Sequence, residues 1–159
     1  LLKLNLINLE KCKMFKESKA CCANCGTLEQ YYVMTQCPSC GYIGDKLPRI
    51  EIKGHEEKLL FLEFAKYDTN NTTSISIQIL EECGDDAFLE PYKDITTNIE
   101  GAEILLGENE IMVKTWSENE SFIQPLLETG YFEKTRKRIR VSQYCEAAIW
   151  KVLNLQKGE

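Results

Sequence analysis

The sequence predicts an α+β protein in which a small cysteine-bearing module at the N-terminus is packed on or linked to a mostly antiparallel sheet with one main helix. Three observations lead there. Five of the eight cysteines fall within CCANCGTLEQYYVMTQCPSCGYIG, residues 21–44, as two near-copies of one short unit. Downstream, KLLFLEFAKY and TTSISIQIL alternate apolar with polar residues in the period of half-buried strands, and the turn signal DTNN separates them. One later segment has helical spacing: Phe122, Ile123, Leu126 and Leu127 fall on one face, with Gly130 as the stop.

With 43% apolar side chains in 159 residues, the chain can bury a core without relying wholly on covalent or metal staples. Turn residues in GDKLPRIEIKG place a boundary near Gly44 to Gly54, giving an N-terminal segment, 1–50, and a body, 51–159. No run approaches the roughly 18 apolar residues of a membrane span. The opening LLKLNLINLE is broken by Lys3, Asn5 and Asn8, unlike a secretion signal, although a first residue other than Met leaves a trimmed leader open. A cytoplasmic protein with no membrane partner is expected.

The cysteine pairs carry the most specific chemistry. They read Cys22-x2-Cys25 and Cys37-x2-Cys40, with Gly26 and Gly41 directly after each second cysteine. Two intervening residues let the backbone fold back so that both sulfurs face one ion. The residue that follows must often take positive φ, which glycine does without a side-chain clash. Without an export signal, such pairs more often hold a metal than form disulfides. Four soft thiolates in a tetrahedral set suit a structural Zn2+ and leave no position for water. Cys21 adjoins Cys22 and is an alternative ligand, and His55, the only histidine, is expected in an exposed loop.

The units CANCG and CPSCGY resemble the zinc-ribbon and rubredoxin-type knuckle class over residues 20–44. That resemblance implies an N-terminal zinc ribbon, with TLEQYYVMTQ as the hairpin between knuckles. An iron centre of rubredoxin type, transferring electrons, and a CPSC dithiol remain open beside it. Tyr31, Tyr32 and Tyr42 offer stacking faces, but no Lys or Arg occurs from Cys21 to Asp45, so the ribbon lacks the cations that dominate phosphate binding.

In the body, EECGDDAFLEPYKDITTNI reads as a turn-rich passage leading into a strand, and ENEIMVKTW as another strand. Ser117 and Glu120 have capping-box spacing, but Pro125 moves the helix start later than Ser117 unless it falls in the first turn. KRIRVS and EAAIWKVL form the last strand pair. Arg136, Arg138 and Arg140 are expected to share one strand face.

Charge is unevenly spread along a chain of net −6. Residues 81–110 hold ten carboxylates against Lys93 alone, whereas EKTRKRIRV holds five cations against Glu133. The carboxylates, including Glu81, Glu82, Asp85, Asp86, Glu90 and Asp94, would repel nucleic acid and suit a basic partner. The arginine row suits phosphates or a partner's carboxylates, or simply guards a strand edge. No nucleophile elbow or phosphate-cradling loop is present in the sequence, so no enzyme activity is expected.

Residues 90–135, with NE…VK.WSENE…L…G.FE.T features, resemble small proteins of undefined function carried by bacterial plasmids and phages. The TGR usual after that phenylalanine appears here as Thr135-Arg136 without glycine. The resemblance implies a mobile-element setting and, in its most concrete form, an anti-CRISPR-like inhibitor docking on an RNA-guided nuclease. The alternative is a transcription- or replication-associated ribbon that binds nucleic acid through Arg136–Arg140 and the N-terminal lysines.

Overall fold

A computed structural model describes residues 19–23, 25, 26, 28, 37, 40, 46–81 and 88–153. These fall into two compact units, one drawn from Leu1–Glu63 and Ile77–Tyr92, the other from Phe64–Ser76 and Lys93–Glu159. Among the described residues are eight strands and one α-helix, an α+β architecture. One sheet has the order β1 (Ala20–Cys22), β2 (Lys46–Ile50), β3 (Leu59–Lys66), β4 (Thr73–Glu81), β5 (Phe88–Asp94). The other places β8 (Glu146–Val152) between β6 (Glu110–Val113) and β7 (Phe132–Arg140).

In the first unit β1 and β2 run antiparallel, with Cys21 opposite Leu47 and Cys22 opposite Lys46. β2 continues antiparallel onto β3, where Ile50 faces Leu60. Residues 67–72 join β3 to β4; this link is too short for a parallel crossover, so the expected hairpin forms. β3 does not alternate at its start. Leu59, Leu60, Phe61 and Leu62 are all buried, so both faces of the sheet are covered there. Cys21, Leu28, Leu47, Leu59, Phe61 and Leu80 pack as one apolar cluster, with Ala23 and Leu89 against it.

In the second unit β8 pairs antiparallel with both neighbours, setting Trp150 opposite Ile111 and Lys134. Neighbouring side chains along β8 point to opposite faces. Ile149 packs on one side with Met112, Ile139 and Ala102, while the fully buried Trp150 meets the Phe132 ring with centroids 5.8 Å apart. Residues 95–97 link β4 to β6: Ile95 N–H donates to the Ile75 carbonyl at 3.0 Å, and Thr97 N–H to the Met112 carbonyl at 2.9 Å. Between them the buried Thr96 hydroxyl accepts the Ile75 N–H at 3.0 Å and lies 2.9 Å from the Tyr67 hydroxyl.

The helix α1 spans Glu120–Glu128, later than Ser117 as expected, after a short 3-10 turn at Ser117–Asn119, with Pro125 still beyond its first turn. Glu120 is already the first helical residue and Asn119 holds the cap position, so Glu120 does not stand at the third helical position that the Ser117–Glu120 spacing assigned it. The buried Asn119 amide instead donates to the Asp94 and Lys114 carbonyls, at 2.8 and 3.0 Å, and ties the helix start to the preceding strands. Pro125 sits inside the helix and removes the bond its N–H would give Ser121. Burial of Phe122 and Leu126, each worth about 1.5–3 kcal/mol, offsets that loss.

β7 departs from simple alternation. Lys134 faces Trp150 but Arg138 faces Ala148, so Thr135, Arg136 and Lys137 together oppose Ile149 alone. The Thr135 hydroxyl donates to the Ile149 carbonyl at 2.6 Å and accepts the Lys137 N–H at 3.2 Å, restoring bonds that the irregularity breaks. Arg138 and Arg140 share a face as expected, but the bulge interrupts the alternation that would align Arg136 with them.

Glu110 receives Lys137 Nζ at 2.8 Å and the Gly107 N–H at 2.7 Å, and these donors, Lys137 first, hold its carboxyl below its ordinary 4.5. A depressed carboxylate stabilises the fold above its unfolded pKa and loses that contribution as pH falls through the folded one. We expect Glu110→Gln to lower urea-unfolding stability at pH 7 by roughly 0.5–1 kcal/mol, the range of a partly exposed ion pair. The deficit should shrink once pH falls below 4.5.

Candidate metal centre

Cys22, Cys25, Cys37 and Cys40 come together with all four sulfurs within 4.8 Å of one another. Cys22 Sγ lies 3.8 Å from Cys40 Sγ, and Cys25 Sγ lies 3.6 Å from Cys37 Sγ. Neither separation is a disulfide, whose sulfurs stand about 2.05 Å apart. A tetrahedral ion with metal–sulfur bonds of about 2.3 Å requires sulfurs about 3.8 Å apart. The cluster therefore fits a closed tetrathiolate ion. Cys22 and Cys37 are buried, Cys25 is half-buried and Cys40 exposed.

Local backbone explains why Cys22 and not Cys21 contributes. Consecutive residues of β1 point to opposite faces, so Cys22 turns toward the other sulfurs and Cys21 into the apolar cluster. Burial pushes the Cys21 thiol well above its ordinary value, and the neighbouring Cys22 and Cys25 sulfurs push it further. Cys21 also bridges to Leu28 across the knuckle, so the same short strand anchors the core and the cluster.

After Cys25 the chain reverses through Gly26, whose φ is +78° and whose N–H donates to the Cys22 carbonyl at 2.9 Å. The positive φ matches the expectation for a glycine behind the second cysteine. A second constraint was not visible in the sequence: a Cβ there would stand 3.0 Å from Leu80 Cδ1 and 3.2 Å from Leu89 Cγ. Gly41 and, Leu28 apart, the residues of the hairpin expected at TLEQYYVMTQ lie outside the described residues.

His55 is no ligand of the cluster. It is half-buried, with Nδ1 3.0 Å from the Tyr92 hydroxyl and the two rings edge to face at 74°. Of the expected partner-contacting carboxylates, Glu81 ends β4 half-buried, and Glu90 and Asp94 are exposed on β5. Glu82, Asp85 and Asp86 lie outside the described residues. Arg136, Arg138 and Arg140 are all exposed on β7, and Arg138 stands 4.0 Å from Glu146. No helix among the described residues is long and apolar enough to cross a membrane.

No protein-family model, curated protein or solved structure matches this chain.

Because an unfolded chain has no preformed site, the metal's binding energy, about 10–16 kcal/mol for zinc in finger-sized peptides, becomes folding energy. Full metal removal, followed by elemental analysis and circular dichroism, should abolish part of the folded signal and lower the melting temperature. An unchanged spectrum and melting curve would exclude a structural ion. Gly26→Ala should cost roughly 2 kcal/mol in thermal or urea unfolding, from the left-handed backbone and the crowding by Leu80 and Leu89.

Proposed function

We propose that this chain is a zinc-stabilised, non-enzymatic binding protein that docks on a partner protein through its acidic surface. The observation that carries the reading is the closed four-sulfur set. Four thiolates fill a tetrahedral ion's positions, so the ion is scaffolding for a zinc ribbon and offers no site to a substrate. Zinc suits this set because it needs no redox partner and takes sulfur donors readily. The second support is the surface of residues 93–110. Asp94, Glu100 and Glu108 are exposed there, and Ile104 and Leu105 project into solvent with 84% and 55% of their surface uncovered. Aliphatic residues accompanied by carboxylates suit a basic partner surface that has an apolar recess.

In its most concrete form the partner is an RNA-guided nuclease, whose nucleic-acid channel is basic and would receive the carboxylates in place of phosphates. The mobile-element resemblance of residues 90–135 is what suggests this form.

Reversing Glu81, Glu82, Asp85, Asp86, Glu90 and Asp94 to Lys should release a partner that the wild-type chain retains, with folding unaltered. Affinity capture from a bacterial lysate, quantified by mass spectrometry, measures this. A partner held equally by both forms would sink the charge-mimicry idea.

A further inference from the structure

The β7–β8 hairpin carries a surface opposite in sign to the acidic one. Arg138 and Arg140 are exposed and two residues apart, so they share a face, opposite Ala148 and Glu146. Glu146 offers Arg138 only a loose contact at 4.0 Å between exposed side chains, and Arg140 and Arg136 have no ion-pair partner among the described residues. Lys134 is exposed beside them, while Lys137 is taken by Glu110.

Beyond Arg140 the chain turns through residues 141–145, and the turn is built by its own hydrogen bonds. Val141 and Ser142 N–H both donate to the Cys145 carbonyl, at 2.9 and 3.2 Å, and Tyr144 N–H donates to Ser142 Oγ at 3.2 Å. The result is a tyrosine held out with 89% of its surface in solvent, two residues from the partner of Arg140. A ring this exposed contributes almost nothing to the fold. It stands instead in the turn that follows the arginines, four residues beyond Arg140 and two before Glu146, which faces Arg140 across the hairpin.

We propose that the tip of this hairpin binds single-stranded nucleic acid, with Arg138 and Arg140 on neighbouring phosphates and Tyr144 stacked on a base. Guanidinium forks match phosphate oxygens, and every base offers a face to a tyrosine ring. An acidic protein would also satisfy the arginines but would gain little from the ring, which is why nucleic acid is the favoured occupant. The chain's net charge of −6 does not forbid this, because charges beyond about 8 Å are screened at physiological salt. The residues of this tip are separate from those of the acidic docking surface, and a nucleoprotein partner would engage both.

Fluorescence anisotropy of the full chain with a labelled oligothymidylate, longer than the roughly 4–16 nucleotides a small domain covers, tests the proposal. Binding should weaken steeply with salt, and a duplex of equal length should bind less well. Tyr144→Ala should loosen binding about tenfold while Tyr144→Phe, which keeps the ring, binds as wild type. Replacing Arg138 and Arg140 by Ala should reduce the salt slope by about 0.7 for each phosphate that is no longer neutralised. Both positions are exposed, so melting curves should coincide with wild type. The proposal is overturned by absence of binding at low salt, by a Tyr144→Ala variant that binds like wild type, or by polyglutamate displacing the oligonucleotide as well as unlabelled oligothymidylate does. The last result would assign the tip to an acidic protein.

Discussion

Two adjacent sulfurs with opposite destinations organise the N-terminal unit. Cys21 enters the apolar cluster with Leu47, Phe61 and Leu80, and Cys22 joins Cys25, Cys37 and Cys40. A three-residue strand makes that division, because its side chains must alternate between faces. A one-residue slip of β1 against β2 would send Cys22 into the core and leave the cluster one sulfur short. Register and the four-sulfur cluster are therefore a single constraint. Gly26 belongs to it too, since it turns the knuckle at positive φ and admits Leu80 and Leu89 where a side chain would otherwise sit.

The second unit obtains its order differently, from buried polar groups that reach across elements. Thr96 ties the Ile75 backbone to the Tyr67 hydroxyl, and Asn119 draws the Asp94 and Lys114 carbonyls to the start of α1. Such bonds are worth most where water is excluded, and both side chains are buried. The Asn119 bonds hold the start of a short helix that contains a proline. Trp150 and Phe132 then supply the apolar contact that the sheet presents on that side.

Charge that is separated along the sequence remains unpaired over much of the second unit's surface. The exposed carboxylates of residues 93–110 accompany two solvent-facing aliphatics, while the β7–β8 hairpin presents guanidinium groups and a tyrosine. Lys137 with Glu110 and Arg138 with Glu146 are places where the two signs meet. The bulge at Thr135–Lys137 shortens the run of aligned cations on β7 and makes that strand a poor template for edge pairing.

The grouping of Cys22, Cys25, Cys37 and Cys40, the β3–β4 hairpin and the face of α1 were legible in the sequence, because the cysteines repeat one short unit and turn signals and hydrophobic period act over a few residues. The cap position was not: it belongs to Asn119, held by carbonyls 25 and five residues away in the chain. The same is true of the Cys21 core role, the burial of all four residues Leu59–Leu62, the His55 contact with Tyr92 and the shift in β7. Local chemistry was sufficient for the strand period, the turn signal and the apolar face of the helix. Tertiary structure alone decided which face is covered, which register holds and where an aromatic ring is left in water, since each depends on what packs from far along the sequence.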